Sequence, residues 1–358
     1  EVVGLQEALF DPFDPTSLMS LLKKVLSDDD FRDRLVAHSA RRASEFSWER
    51  TADAARGFFE AMQAEAGSRV GGHSKGADSH AWRAGYADRL NDLIHCLSEP
   101  LRGEPDEDAR VALMRQAARA LEHNEQELAR HFAKLDDRVS PWRIEGPFDS
   151  SYSLALVNRE LARGLSAAGI EVQLKSTEGP GDFDPDPAFL AANADIASLL
   201  VDDGVNFVPQ AVTSRLLFPP RVNDLPAGLG LLHLWGWEEG EIPGEWVDDF
   251  NTHLDGLTTM SGYVSKVLID NGVCVPQVAA GVGVDHWERV QSEEHFVLPA
   301  EASGFVFLHV SSCFPRKGVD LLLQAWGEAF TAEDDVTLLI KTFTNPHNNA
   351  AELLERAR

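Results

Sequence analysis

The chain has 358 residues, enough for two domains with cores of their own. Apolar residues make up 44% and charged residues 25%, a globular balance, and no apolar run approaches the roughly 18 residues that a membrane span needs. Against 32 basic residues stand 58 acidic ones, and the net charge of −26 argues against a polyanionic partner such as nucleic acid. The three cysteines, Cys96, Cys274 and Cys313, form no CxxC and no metal spacing. Their odd number, with no signal peptide, points to a reduced, cytoplasmic protein. The chain begins at Glu1 in mid-pattern and is read as a piece of something longer.

Residues 1–63 predict a strand end followed by three helices. Asp14 is placed to cap a helix that starts at Pro15, with Leu18, Leu21, Leu22 and Val25 on one face. A second helix is predicted over about Phe31 to Glu45. A third, capped by Ser47, runs from Trp48 to about Met62 with Ala52, Ala55, Phe58 and Phe59 inward. The aspartates of Asp11-Pro12-Phe13-Asp14 lack the spacing and closing Glu of a calcium loop and read as a proline-stiffened helix entry. Residues 64–80, rich in Gly, Ser and Ala, predict a flexible linker, and 81–140 a helical connector. His123 and His131 stand eight apart, not the three or four of a zinc pair on one helical face, and read as ordinary histidines.

A new domain opens at Trp142-Arg143-Ile144. This short strand leads into Gly146-Pro147-Phe148-Asp149-Ser150-Ser151-Tyr152, then a helix with Leu154, Val157, Leu161 and Leu165 inward and Gly169 as its C-cap, then a strand from Ile170 to Leu174. A small-residue loop at a helix N-terminus suits an anion or ligand, although a tight turn with a serine cap accounts for it equally. Asp182, Asp184 and Asp186 alternate with prolines instead of ending an apolar strand, which disfavours a metal motif. A strand from Leu229 to Leu234 runs into Trp235-Gly236-Trp237-Glu238-Glu239, at the strand end where α/β folds keep their sites. Aromatic faces suit sugar rings and carboxylates suit hydroxyls; the plain alternative is core tryptophans and solvated glutamates. Helices over Glu245–Leu254 and Tyr263–Asn271, the latter capped by Ser261, flank a strand from Gly256 to Met260. Asp285 and His286 follow; a structural role at a hinge is preferred for them over a place facing a cleft.

Phe305 to Val310 is a strand-length apolar run. A polar turn carries it to Gly318, where helical spacing begins with Val319, Leu322, Leu323 and Trp326 on one face, and Val336 to Ile340 is a second strand. This is a βαβ unit of a parallel sheet. Arg316 and Lys317 fall where the helix begins, so two cations stand beside unpaired N–H groups, an arrangement suited to a diphosphate. Solvated surface charges are the plain alternative.

The string VSSCFPRKGVDLLLQAW, and IKTFTNPHN after it, resemble the opening of the donor-binding domain in retaining GT-B glycosyltransferases of family four. WRIEGPFDSSYSLALVNRELARGL, STEGPGDFDPDPAFL, and LDGLTTMSGYVSKVLIDNGV with GVGVDHW resemble that family's acceptor-side domain. EVVGLQEALFDPFDPTSL with FSWERTA resembles the end of a donor domain. The resemblance implies an α/β fold of GT-B type with Rossmann-like parallel sheets. Residues 1–63 would end one donor domain, 141–298 would form the acceptor-side domain of a second module, and 299–358 would start its donor domain. It assigns the donor diphosphate to Arg316, Lys317 and Gly318. The acceptor side of the cleft goes to Gly146, Asp149, Ser150, Ser151, Tyr152, Trp235 and Trp237. Glu1 falls on the donor side of the upstream module.

Glu238 and Glu239 are the candidate catalytic carboxylates, although this family often has a His beyond that strand, from which WGWEE departs. The implied reaction is retaining transfer of a hexosyl group from a nucleotide diphosphate sugar to a glycan or lipid-linked saccharide in surface polysaccharide or O-antigen synthesis. It needs no metal or cofactor. Peripheral membrane association stays open. The family's E-x7-E segment is absent, so the fragment alone is expected to be inactive. A nucleotide-sugar epimerase or dehydrogenase is disfavoured, since no Tyr has a Lys four residues on. A non-catalytic glycan-binding or scaffold module is the alternative from another class.

Overall fold

The computed structural model describes residues 3–69, 142–149, 153–177, 187–201, 212–225, 229–289, 296–343 and 348–357. The chain divides into two compact units, residues 46–286 and residues 1–45 with 287–358. The stretch 1–63 is therefore shared between them.

In the larger unit, β1 (Trp142–Glu145), β2 (Val172–Lys175), β3 (Val212–Arg215), β4 (Leu229–Trp235), β5 (Gly256–Thr259) and β6 (Gln277–Ala279) form one sheet in the order β2-β1-β3-β4-β5-β6, every pair parallel. This is the Rossmann-like α/β architecture expected. The order reverses between β1 and β3, and the crevice beyond such a switch point is where open α/β sheets bind ligands. The four-residue β3 is absent from the sequence-based reading. It forms because it lies between β1 and β4, with all four of its residues buried.

The connections follow the sequence cues. Helix α4 (Ser153–Ala167) buries Val157, Leu161 and Leu165 and ends at Gly169, whose φ of +81° only glycine adopts freely. Two short helices, α5 (Pro187–Ala192) and α6 (Ala194–Ala197), precede β3. Helix α7 (Gly244–His253) links β4 to β5, and α8 (Gly262–Asp270) starts where the Ser261 hydroxyl accepts from the Val264 N–H.

Helix α3 (Trp48–Arg69) belongs to this unit and packs on α4. It runs past Met62 into the stretch read as linker, because Gln63-Ala64-Glu65-Ala66 are good helix formers. Trp48, Ala52, Ala55 and Phe59 are buried, and the Phe59 ring meets Trp142 at a centroid distance of 3.7 Å. Phe46 and Trp48 are tied to the end of the unit. The Phe46 carbonyl accepts from the Val284 N–H at 2.9 Å, the Trp48 N–H donates to Asp285 Oδ1 at 2.9 Å, and Trp48 Nε1 donates to His286 Nδ1 at 3.2 Å. The helix needs small partners: a Cβ added at Gly283 would stand 2.3 Å from the Trp48 nitrogen. Gly283→Ala is therefore expected to destabilise the protein by about 1–3 kcal/mol, because backbone must shift to admit the methyl group. A urea unfolding midpoint unchanged from that of the parent chain would contradict this.

In the smaller unit, β7 (Phe305–Val310) pairs in parallel with β8 (Val336–Lys341) across α9 (Val319–Ala329). Trp326 of α9 packs edge-on against Phe307 at 5.4 Å, and α10 (Ala350–Ala357) adds Ala350 to a small core with Cys313, Val319 and Leu323. Helix α1 (Pro15–Ser27), capped by Asp14 as expected, packs on α9, and α2 (Asp29–Ala43) is capped by Asp28. The other face of β7 leaves Leu308 and Val310 exposed. Among the described residues, no helix is long and apolar enough to cross a membrane.

Candidate functional site

Two strand ends carry the candidate residues, one in each unit. In the larger unit, Gly146 opens the loop after β1 at the switch point. Its φ is +152°, and a Cβ there would lie 2.4 Å from both Asn158 Nδ2 and the Leu216 carbonyl, so no larger residue fits without displacement. Asn158, fully buried on α4, organises this end of the sheet. Its Nδ2 donates to the Pro147 carbonyl at 3.0 Å and the Leu216 carbonyl at 3.1 Å, and its Oδ1 lies 2.7 Å from His233 Nε2 of β4. Two carbonyls can only accept, so they fix the amide orientation. Oδ1 then requires a proton on Nε2, which fixes the histidine tautomer. Burial pushes the His233 pKa down to about 3, so the ring is neutral. Arg159 Nη1 donates to the Phe148 carbonyl at 2.7 Å, and its guanidinium lies 4.3 Å from the centre of the Phe189 ring. Burial, then the Arg163 charge, lower its pKa to about 10, which leaves it cationic at neutral pH.

Asp149, half-buried, ends this described loop; Ser150, Ser151 and Tyr152 lie outside the described residues, as do Glu1, His123, His131, Asp182, Asp184 and Asp186. Beneath the loop lies a buried ion cluster. Arg215 of β3 reaches Glu145 of β1 through Nε at 3.0 Å and through Nη2, and also pairs with Asp224. Arg143 Nε lies 3.2 Å from Glu145 Oε1, close enough for charge attraction but not aligned as a hydrogen bond.

At the end of β4, Leu234 takes a left-handed φ of 48° and the pairing with β5 shifts register before Trp235. The shift turns Trp235 into the core, where it is 2% exposed among Trp237, Trp246 and Phe250. Trp237 is half-buried, its ring within 12° of parallel to that of Trp235, and its Nε1 donates to the Glu241 carbonyl. Glu238 and Glu239 are exposed. These four residues are the ones that stand out in the sequence at this strand end, and His233, two positions before Trp235, is not among them. The available signal was a single imidazole inside the apolar strand Leu229–Trp235.

In the smaller unit, β7 ends in a turn, Pro315–Lys317, followed by Gly318 in left-handed conformation (φ +66°) as the N-cap of α9. No side chain caps this helix, so its first N–H groups are left to a ligand or solvent. Arg316 and Lys317 are exposed beside them, the Arg316 guanidinium 5.3 Å from the Phe314 ring centre. Two cations, a helix N-terminus and a backbone that glycine leaves approachable form an anion-binding arrangement. Among the described residues, no group of three His, Cys, Asp or Glu side chains is placed to hold a metal ion.

No family model matches the chain. Curated proteins called "Serotype-specific mannosyltransferase WbdA", from Escherichia coli, are 36% identical to it over 64 residues. That stretch is 18% of this chain and 8% of each relative's length. The similarity supports a glycosyltransferase-type relationship at that coverage, beside a parallel α/β fold consistent with the GT-B type.

Proposed function

We propose that the protein is part of a retaining GT-B glycosyltransferase of family four that transfers a hexosyl group from a nucleotide diphosphate sugar to a glycan of a surface polysaccharide. The observation that carries this reading is the turn after β7, with Arg316, Lys317, Gly318 and the uncapped N-terminus of α9 together. In such a transfer the bond from the anomeric carbon to the diphosphate oxygen breaks, and a bond to the acceptor hydroxyl oxygen forms. The acceptor hydroxyl gives its proton up to solvent, and the nucleoside diphosphate leaves with one more negative charge. Meeting that charge is the main electrostatic demand of the step, and two cations with free N–H donors supply it without a metal. The loop after β1, held by Asn158, serves the acceptor side in this reading, with Trp237, Glu238 and Glu239 beyond the end of β4, which β3 separates from β1.

Calorimetric titration of the chain with UDP and with GDP tests the proposal. One nucleotide should bind, and Arg316→Ala/Lys317→Ala should weaken it by about 100-fold, as expected when two charge-assisted contacts are lost. Binding of neither nucleotide, or equal binding to the double variant, would overturn it and favour a scaffold role.

A further inference from the structure

We propose that Ser311 is a positioning residue for the diphosphate turn, a role that rests on the function proposed above. Ser311 continues β7: its N–H donates to the Lys341 carbonyl at 3.1 Å, so the strand ladder is complete without its side chain. Its hydroxyl instead gathers three neighbours. The Cys313 N–H donates to Oγ at 3.1 Å, His309 Nε2 lies 2.7 Å away, and Cys313 Sγ lies 3.6 Å away. One proton and two lone pairs satisfy this set: Oγ accepts from the Cys313 amide and exchanges its remaining bonds with the imidazole and the thiol. His309 reaches it because alternate residues of a strand share a face.

The hydroxyl holds an unfavourable backbone in place. Cys313 has φ +53°, a left-handed conformation that is strained for any residue but glycine. Its side chain is 1% exposed, locked into the small core with Val319 and Leu323, while its backbone turns the chain out of β7. Three and four residues later come Arg316 and Lys317. The direction in which the chain leaves Cys313 therefore sets where both cations and Gly318 stand relative to the first N–H groups of α9. Ser311 touches no ligand in this scheme; it acts through the turn.

The test is titration of the chain with whichever of UDP and GDP binds it, for Ser311→Ala, Ser311→Thr and His309→Leu, with thermal midpoints measured alongside. Ser311→Ala should bind about five- to tenfold more weakly, the effect of one lost hydrogen-bonding centre. Ser311→Thr keeps the hydroxyl and should stay within about twofold of the parent. His309→Leu removes one partner of the hydroxyl and should weaken binding by about two- to threefold. Affinity loss in folded Ser311→Ala, recovered in Ser311→Thr, is what a purely structural serine would not produce. Unchanged affinity in Ser311→Ala, or equal losses in the Ala and Thr variants, overturns the positioning role and leaves the diphosphate turn standing. A parent chain that binds neither nucleotide removes both proposals together.

Discussion

Glu145→Ala is expected to lower the unfolding free energy by about 3–5 kcal/mol, the cost of leaving buried cations without their anion. Glu145 is 1% exposed, and Arg143 and Arg215, at 7% and 3%, share its carboxylate across β1 and β3. Register sets the cluster: Glu145 stands directly beside Arg215 in the parallel pair, and Arg143 is two residues back on the same face. Removing the carboxylate leaves Arg215 with the half-exposed Asp224 and the Arg221 carbonyl, and Arg143 with no carboxylate among those partners. Replacing all three by leucine should recover much of the loss, since well-packed apolar residues often match or exceed a buried ion pair. Urea unfolding followed by tryptophan fluorescence gives both numbers, provided the slope with denaturant stays constant. A shift below about 1 kcal/mol for Glu145→Ala would mean that the cluster is not sealed from water.

The cluster also marks where sequence reading stops. Arg143, Glu145 and Arg215 carry the charges usually given to a surface, and the partners Glu145 and Arg215 are 70 residues apart. Only the parallel register brings them together. For the same reason β3, whose four residues Val212-Thr213-Ser214-Arg215 show no apolar alternation, was not legible. Its burial comes from its place in the sheet, not from its own pattern. Elements with a local signal were legible: α1 with Asp14 and Pro15, α8 with Ser261, and the β7–α9–β8 unit with its apolar periodicity and Gly318. The basic turn was readable because the residues carrying its chemistry are neighbours in sequence. The loop after β1 was readable only as a small-residue turn, because the groups that hold it, Asn158 and His233, come from α4 and β4 and meet across 75 residues.

That pairing should give the protein a marked sensitivity to acid. Burial lowers the His233 pKa to about 3, whereas in the unfolded chain it returns to about 6.5. Above about pH 6.5 neither state binds the proton and His233 adds no pH dependence. As the pH falls through that value the unfolded state takes up a proton that the folded state refuses. Stability then drops by about 1.4 kcal/mol per pH unit, levelling off near pH 3, where the folded protein protonates too. Integrated over the window, the loss is about 5 kcal/mol, comparable with the whole stability of many domains. His233→Gln isolates the effect. Its terminal amide can still donate to Asn158 Oδ1 but does not titrate, and carboxylates that also act in this window are common to both proteins. The difference in unfolding free energy between His233→Gln and the parent should be flat above about pH 7. Below pH 6.5 it should shift in favour of the variant by about 1.4 kcal/mol per pH unit. A difference that stays constant between pH 7 and pH 4 would mean that the imidazole reaches solvent in the native state. The Asn158 amide would then not be locked, and the Gly146–Asp149 loop would lose the fixed geometry on which its place at the switch point depends.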